Sequence, residues 1–203
     1  MAQTVDGTRI QRLREALSQR NIENEYYETG AEALARLQEL VPLGTEVQTG
    51  SSTTLDQIGF TAWLKELHAQ GKVRYFRAET QQHADAGVRT SNRRVATLAP
   101  YFLGSVNALT EDGIAFVCDA SGSRLGGYIF GAQTVIWVVG VNKIVPTFED
   151  AMRRLREVAL PGEDTRVKAL GEKGSTINKV GIFYGEGIAG RIRLILVGES
   201  LGF

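Results

Sequence analysis

Apolar positions in the first part of the chain recur at helical spacing. Ile10, Leu13, Ala16 and Leu17 fall at i, i+3, i+6 and i+7 with Arg and Gln between them, which predicts an amphipathic helix. Tyr26 and Tyr27 make a short strand candidate. Ala31, Leu34, Leu37, Leu40 and Val41 predict a second helix, stopped by Pro42 and Gly44. Residues 46–49 read as a short strand, residues 50–54 as a loop, and Leu55, Trp63, Leu64 and Leu67 as further helix up to Gly71. Residues 73–76 carry the β-branched and aromatic content of a strand, and the polar stretch 79–98 is expected to be partly helical.

The texture then changes. From Tyr101 to Val145 the chain is strand-rich and punctuated by glycine, with strands expected at 101–103, 114–118 and 134–139 and a short helix at 125–130. Phe148, Met152, Leu155, Val158 and Ala159 mark a later helix before Pro161 and Gly162. Residues 177–184 and 191–198 read as two final strands, open to pairing as an antiparallel hairpin. Helices alternating with short, nearly continuous apolar strands predict an α/β fold with a mainly parallel open sheet flanked by helices and a C-terminal strand pair. The expected division is an N-terminal helical segment, 1–44, packed on a main α/β domain, 45–203.

Composition narrows the function classes. The 203 residues contain 43% hydrophobic and 23% charged positions, enough to build a core. Lys plus Arg and Asp plus Glu are each 23. That balance argues against a general nucleic-acid or anionic-membrane binder, leaving room for a local basic pocket. Cys118 is the single cysteine, so neither an intrachain disulfide nor a cysteine-held iron–sulfur cluster is expected within this chain. Residues 1–17 carry Arg9, Arg12 and Arg14 without the apolar core of a secretory signal, and no apolar run reaches the ~20 residues of a membrane span. A cytoplasmic protein is expected, with a homo-oligomer left open.

Three segments carry candidate chemistry, and all three follow strands. Gly50, Ser51, Ser52, Thr53 and Thr54 sit between a strand and a helix, where backbone N–H groups, the helix end and several hydroxyls would stabilise a phosphate or carboxylate. The same residues also serve as ordinary helix caps. Gly122 and Arg124 lie in a small-residue turn, and a guanidinium fork suits oxyanions; a surface arginine in a turn is the plainer alternative. Asn142 and Lys143 follow the strongest apolar strand, at the edge where open parallel sheets bind ligands; a solvated turn lysine is the plainer alternative. Their common placement suggests one crevice. Glu111, in Glu111-Asp112-Gly113, reads either as part of a hairpin turn or as a carboxylate at the pocket edge acting as nucleophile or base.

Other motifs carry less. Gly185, Gly187 and Gly190 match a dinucleotide fingerprint formally, but a strand follows and too little chain remains for a βαβ unit. Residues 171–176 read as a flexible connection. His68 and His83 have no partner at metal-ligand spacing, so no metal site is expected, and Cys118 reads as a buried small hydrophobe.

The segments 50–55, 105–113 (Ser-Val-Asn-Ala-Leu-Thr-Glu-Asp-Gly), 122–124, 130–131, 140–145 (Gly-Val-Asn-Lys-Ile-Val) and 197–203 together resemble the lactate-utilisation (LUD) domain family, in family order from about residue 45 onward. The resemblance implies a fold similar to sugar-phosphate isomerases and CoA-transferases, in which the glycine and serine loop holds phosphate or cofactor. It implies a small anionic metabolite or phosphate-bearing ligand near Gly50, Ser51, Ser52, Thr53, Thr54, Asn107, Arg124 and Lys143. By analogy with CoA-transferases it also implies a nucleophilic role for Glu111. Family members are associated with L-lactate oxidation beside iron–sulfur oxidoreductase partners. Many carry a cysteine cluster before the last strands. This chain has none there, so a redox centre would belong to a partner; the alternatives are a non-catalytic accessory subunit, or an isomerase or acyl-CoA-transferase-like enzyme using Glu111.

Overall fold

The computed structural model describes residues 7–203. Residues 1–6, the start of the expected N-terminal helical segment, lie outside the described residues. In chain order the elements are α1 (Gly7–Gln19), β1 (Glu23–Tyr27), α2 (Gly30–Leu40), β2 (Glu46–Thr49), α3 (Thr53–Gln57), α4 (Phe60–Ala69), β3 (Arg74–Tyr75), α5 (Phe76–Gln81) and α6 (Ala86–Ala96). They continue with β4 (Tyr101–Gly104), β5 (Ala108–Thr110), β6 (Ala115–Asp119), α7 (Ser123–Gly126), β7 (Thr134–Gly140), β8 (Ile144–Val145), α8 (Phe148–Arg154), α9 (Leu160–Ala169), β9 (Lys179–Phe183) and β10 (Ile192–Val197). No helix among the described residues is long and apolar enough to cross a membrane.

Six strands form a parallel sheet in the order β1-β10-β7-β4-β2-β3. Its central strands are apolar on both faces because both faces are covered. On β7, Val135, Trp137 and Val139 pack on one side with Ile10, Leu13 and Leu17 of α1. Ile136 and Val138 pack on the other with Leu37 of α2 and Phe60 and Leu64 of α4. The segment expected to be an N-terminal helical unit thus contributes β1 to the sheet edge. Thr29 and Glu32 close a capping box at the start of α2, satisfying two otherwise orphaned N–H groups.

A second, mixed sheet has the order β8-β5-β6-β9. One face, with Leu109, Ala115, Val117 and Phe183, joins the α1 side of the first sheet. The other, with Ala108 and Phe116, packs on Ala151 of α8 and on Leu155 and Ala159 of the π-helical stretch after it. A run of edge-to-face rings crosses between the sheets: Phe102–Tyr128 at 5.0 Å, Tyr128–Trp137 at 5.6 Å and Trp137–Phe183 at 5.0 Å.

The final strands do not form the hairpin that was one reading of the sequence. β10 lies between β1 and β7 in the parallel sheet, whereas β9 is an edge strand antiparallel to β6. Ile192, Leu194, Ile195, Leu196 and Val197 are all buried, so both faces of β10 need cover. β9 buries only Gly181 and Phe183 and turns Val180 and Ile182 outward, which suits an edge. The short helix expected at 125–130 is α7 followed by a π-helical turn, Gly127–Gly131.

Candidate functional site

Parallel strands bring their carboxyl ends to one edge, and here the loops after β2, β4 and β7 meet there. They enclose a cavity of about 370 Å³ together with the loop after β6. The wall from β2 is residues 50–54. The Ser52 hydroxyl accepts from the Leu55 N–H and so caps α3, the plainer role weighed for this loop. α3 is only five residues long. The receptive charge therefore comes from N–H groups and arginines rather than from a long helix. Gly50 is required by close packing, since a Cβ there would sit 2.4 Å from Arg124 Cδ.

Arg124 enters from α7. Its Nε donates to Asp119 Oδ2 at 3.0 Å, and its stem lies across Gly50. Asp119 also accepts from the Gly122 N–H at 2.8 Å. Burial alone would raise the Asp119 pKa, but Arg124 and these N–H groups outweigh it and hold the carboxyl below its ordinary range. Gly122 (φ +87°) starts this turn without lining the cavity.

Lys143 comes from the 3-10 turn after β7 and is 3% exposed, not the solvated turn residue that was the plainer reading. Its Nζ donates to Thr54 Oγ1 and to Ser105 Oγ, both at 2.9 Å. Burial, then Arg154, then Arg124 push its pKa down to about 7. Asn142 is not among the lining residues and fastens the C-terminal tail: its Oδ1 accepts from the Leu201 N–H at 3.0 Å and its Nδ2 donates to the Gly202 carbonyl at 3.2 Å. Asn107 lines the cavity, and its Oδ1 accepts from the Cys118 N–H at 3.0 Å, tying β5 to β6.

The cavity lining holds four arginines, Arg77, Arg93, Arg124 and Arg166, and Lys143, against three carboxylates, Asp119, Glu163 and Glu172. A chain of zero net charge thus concentrates positive charge here. Asp119 pairs with Arg124, and Glu163 with Arg166. Arg77 donates to Ser51 Oγ at 2.9 Å, and neither Arg77 nor Arg93 forms an ion pair among the described residues. Gln48 Oε1 and Thr53 Oγ1, on the cavity wall, are buried without a hydrogen-bond partner among the described residues. Among the described residues no three His, Cys, Asp or Glu side chains are grouped closely enough to hold a metal ion.

A model of the LUD domain matches residues 10–197. The chain belongs to the LUD domain family. The match extends the resemblance read from residue 45 onward back to α1. Among solved structures, a DUF162 family protein from Deinococcus radiodurans has a TM-score of 0.55 at 11% identity, over 94% of this chain and 95% of that chain. At that identity the likeness shows a shared fold. A search of curated proteins gave no match.

Within this LUD domain Glu111 does not line the cavity. It follows β5 and receives Arg9 Nε at 2.8 Å. Its turn packs under α1, where a Cβ on Gly113 would sit 3.2 Å from the Leu17 nitrogen. This placement lends no support to a nucleophile at the pocket edge. Residues 171–176, read as a connection, instead supply Glu172, Gly174, Ser175 and Thr176 to the LUD cavity wall. Sequence reasoning missed Arg77, Arg93 and Arg166. They come from α5, α6 and α9, polar helices in which one arginine looks like another until the helices are placed.

Proposed function

We propose that this LUD domain binds a small anionic metabolite, carrying a carboxylate or phosphate, in the cavity at the carboxyl ends of β2, β4 and β7. The family's association with lactate makes a small hydroxy or oxo acid the first class to test. The observation that carries the reading is the surplus of cations facing residues 50–54, with Arg77 and Arg93 free of carboxylate partners among the described residues. The buried Thr53 hydroxyl and the main-chain N–H groups beside it would complete an oxyanion's hydrogen bonds. Any iron–sulfur centre coupled to oxidation would reside in a partner, because the only cysteine, Cys118, is buried in β6.

Titration calorimetry of the full chain with inorganic phosphate, lactate, pyruvate and a sugar phosphate tests this. At least one should bind, and Arg93→Ala should weaken it about tenfold, as expected for a charge-assisted hydrogen bond of roughly 1.5 kcal/mol. Absence of binding by all four overturns the reading.

A further inference from the structure

We propose that the side-chain amine of Lys143 is a nucleophile toward the carbonyl carbon of a small anionic oxo compound, an oxo acid or oxo phosphate, held in this cavity. The inference rests on the anion-binding reading and adds a reaction to it.

A lysine kept only for architecture is normally either solvated or, when buried, paired with a carboxylate. Lys143 is neither. It is 3% exposed, and its Nζ meets two hydroxyls, Thr54 Oγ1 and Ser105 Oγ. It forms no ion pair among the described residues. Two nearby carboxylates of the lining are engaged, Asp119 by Arg124 and Glu163 by Arg166. The charged groups that act on the amine are both cations: Arg124 from α7, and Arg154 from α8, whose guanidinium donates to the Asn107 and Asn142 carbonyls. The remaining titratable neighbours of these arginines are Cys118 and Tyr128, both of which burial keeps in the neutral, protonated form. Burial and the two arginines leave a substantial neutral amine fraction at neutral pH. The space beside Nζ is kept by Gly202 (φ +61°): a Cβ there would lie 3.1 Å from Nζ and 2.5 Å from Thr54 Oγ1.

The step balances without a redox partner. The lone pair of the neutral amine attacks the carbonyl carbon, and the C=O π electrons move to oxygen. A proton passes from nitrogen to that oxygen, with the Thr54 hydroxyl, which accepts from Nζ, in place to relay it, while the Ser105 hydroxyl accepts from Nζ and donates to the Val138 carbonyl at 2.6 Å. The carbinolamine then loses this oxygen as water while the C=N bond forms. Amine and carbonyl compound give imine and one water. The anionic group of the substrate would rest against residues 50–53, Arg77 and Arg93.

The test incubates the full chain with pyruvate, or separately with dihydroxyacetone phosphate, in the presence of cyanoborohydride, followed by peptide mass mapping. Trapping should place an adduct, equal in mass to the probe less one oxygen atom, on Lys143 ahead of exposed Lys65 and Lys72. The rate should be half-maximal near pH 7, and inorganic phosphate should slow it. An adduct from pyruvate alone assigns an oxo acid, and one from dihydroxyacetone phosphate alone assigns an oxo phosphate. No adduct from either, or adducts spread over the surface lysines, overturns the proposal. These readouts use the unaltered chain, so they do not depend on Lys143 variants folding. If any of the four anions binds calorimetrically while no adduct forms, the nucleophile falls and the anion site stands; if none of the four binds and no adduct forms, both fall.

Discussion

The two sheets of this LUD domain end in loops of opposite character. All strands of the first sheet run one way, so the loops after β2, β4 and β7 gather at one edge and build the cavity. In the second sheet β5 and β6 run antiparallel, Ala108 opposite Phe116 and Leu109 opposite Ala115. The entry to β5, at Asn107, and the exit from β6, at Asp119, therefore lie at the cavity end. The exit from β5, at Glu111, lies at the far end. Four residue steps along extended chain carry Asn107 to Glu111, roughly 13 Å. β8 pairs parallel with β5, Leu109 opposite Ile144, which puts Lys143 beside Ala108 at the cavity end. A parallel sheet collects its loops; a mixed sheet divides them.

The largest test of that contrast asks whether the sheets are one unit. Trp137 is fully buried and sits between Tyr128 of the π-helical turn and Phe183 of β9. Trp137→Ala should cost about 3–5 kcal/mol and still give one unfolding transition by urea denaturation followed by circular dichroism. Two separated transitions would break the comparison by making the sheets independent.

Next in size is the pH dependence at Lys143. Its folded-state pKa, about 7, lies below the ordinary 10.5. Between these values the unfolded chain binds the extra proton, so stability should rise with pH from about 7 toward 10 and lack this contribution at lower pH. Lys143→Met should flatten the rise in urea midpoint over that window. An unchanged slope would mean that the amine is not held in a desolvated site.

Asp119 gives the opposite limb. Its folded pKa lies below the ordinary 3.8, so its contribution is present above that value and is lost as pH falls through the folded pKa. Asp119→Asn should reduce acid sensitivity there and lower stability at pH 7. The smallest effect is expected at the far end of β5. Glu111→Gln removes a partly exposed ion pair with Arg9, so it should change stability by no more than about 1 kcal/mol and leave calorimetric phosphate binding unaltered. A loss of binding in that variant would place Glu111 functionally at the cavity and break the contrast between loop ends.

Much of this was legible in the residues. Helical spacing at Ile10, Leu13 and Leu17, and at Ala31, Leu34 and Leu37, marks α1 and α2, and the unbroken apolar run 135–139 marks β7 as a buried strand. Residues 50–54, Arg124 and Lys143 each follow a strand, and all three line the cavity: 50–54 and Lys143 after strands of the parallel sheet, Arg124 after β6 of the mixed one. Glu111, read either as a hairpin-turn residue or, by analogy with CoA-transferases, as a carboxylate at the pocket edge, lies outside the cavity lining, because a sequence shows that a loop follows a strand but not which way that strand runs. Arg77, Arg93 and Arg166 were hidden for a related reason: a polar helix face reads the same over solvent as over a cavity.

Periodicity and apolar content alone determined the helices, the buried strands and the fold class, because burial demands apolar side chains at spacings the backbone geometry sets. Tertiary structure alone decided that β10 enters the middle of the parallel sheet while β9 joins the other. It also decided that Lys143 is buried among cations rather than hydrated. Both outcomes depend on strand direction and on partners distant in the chain, and local spacing contains neither.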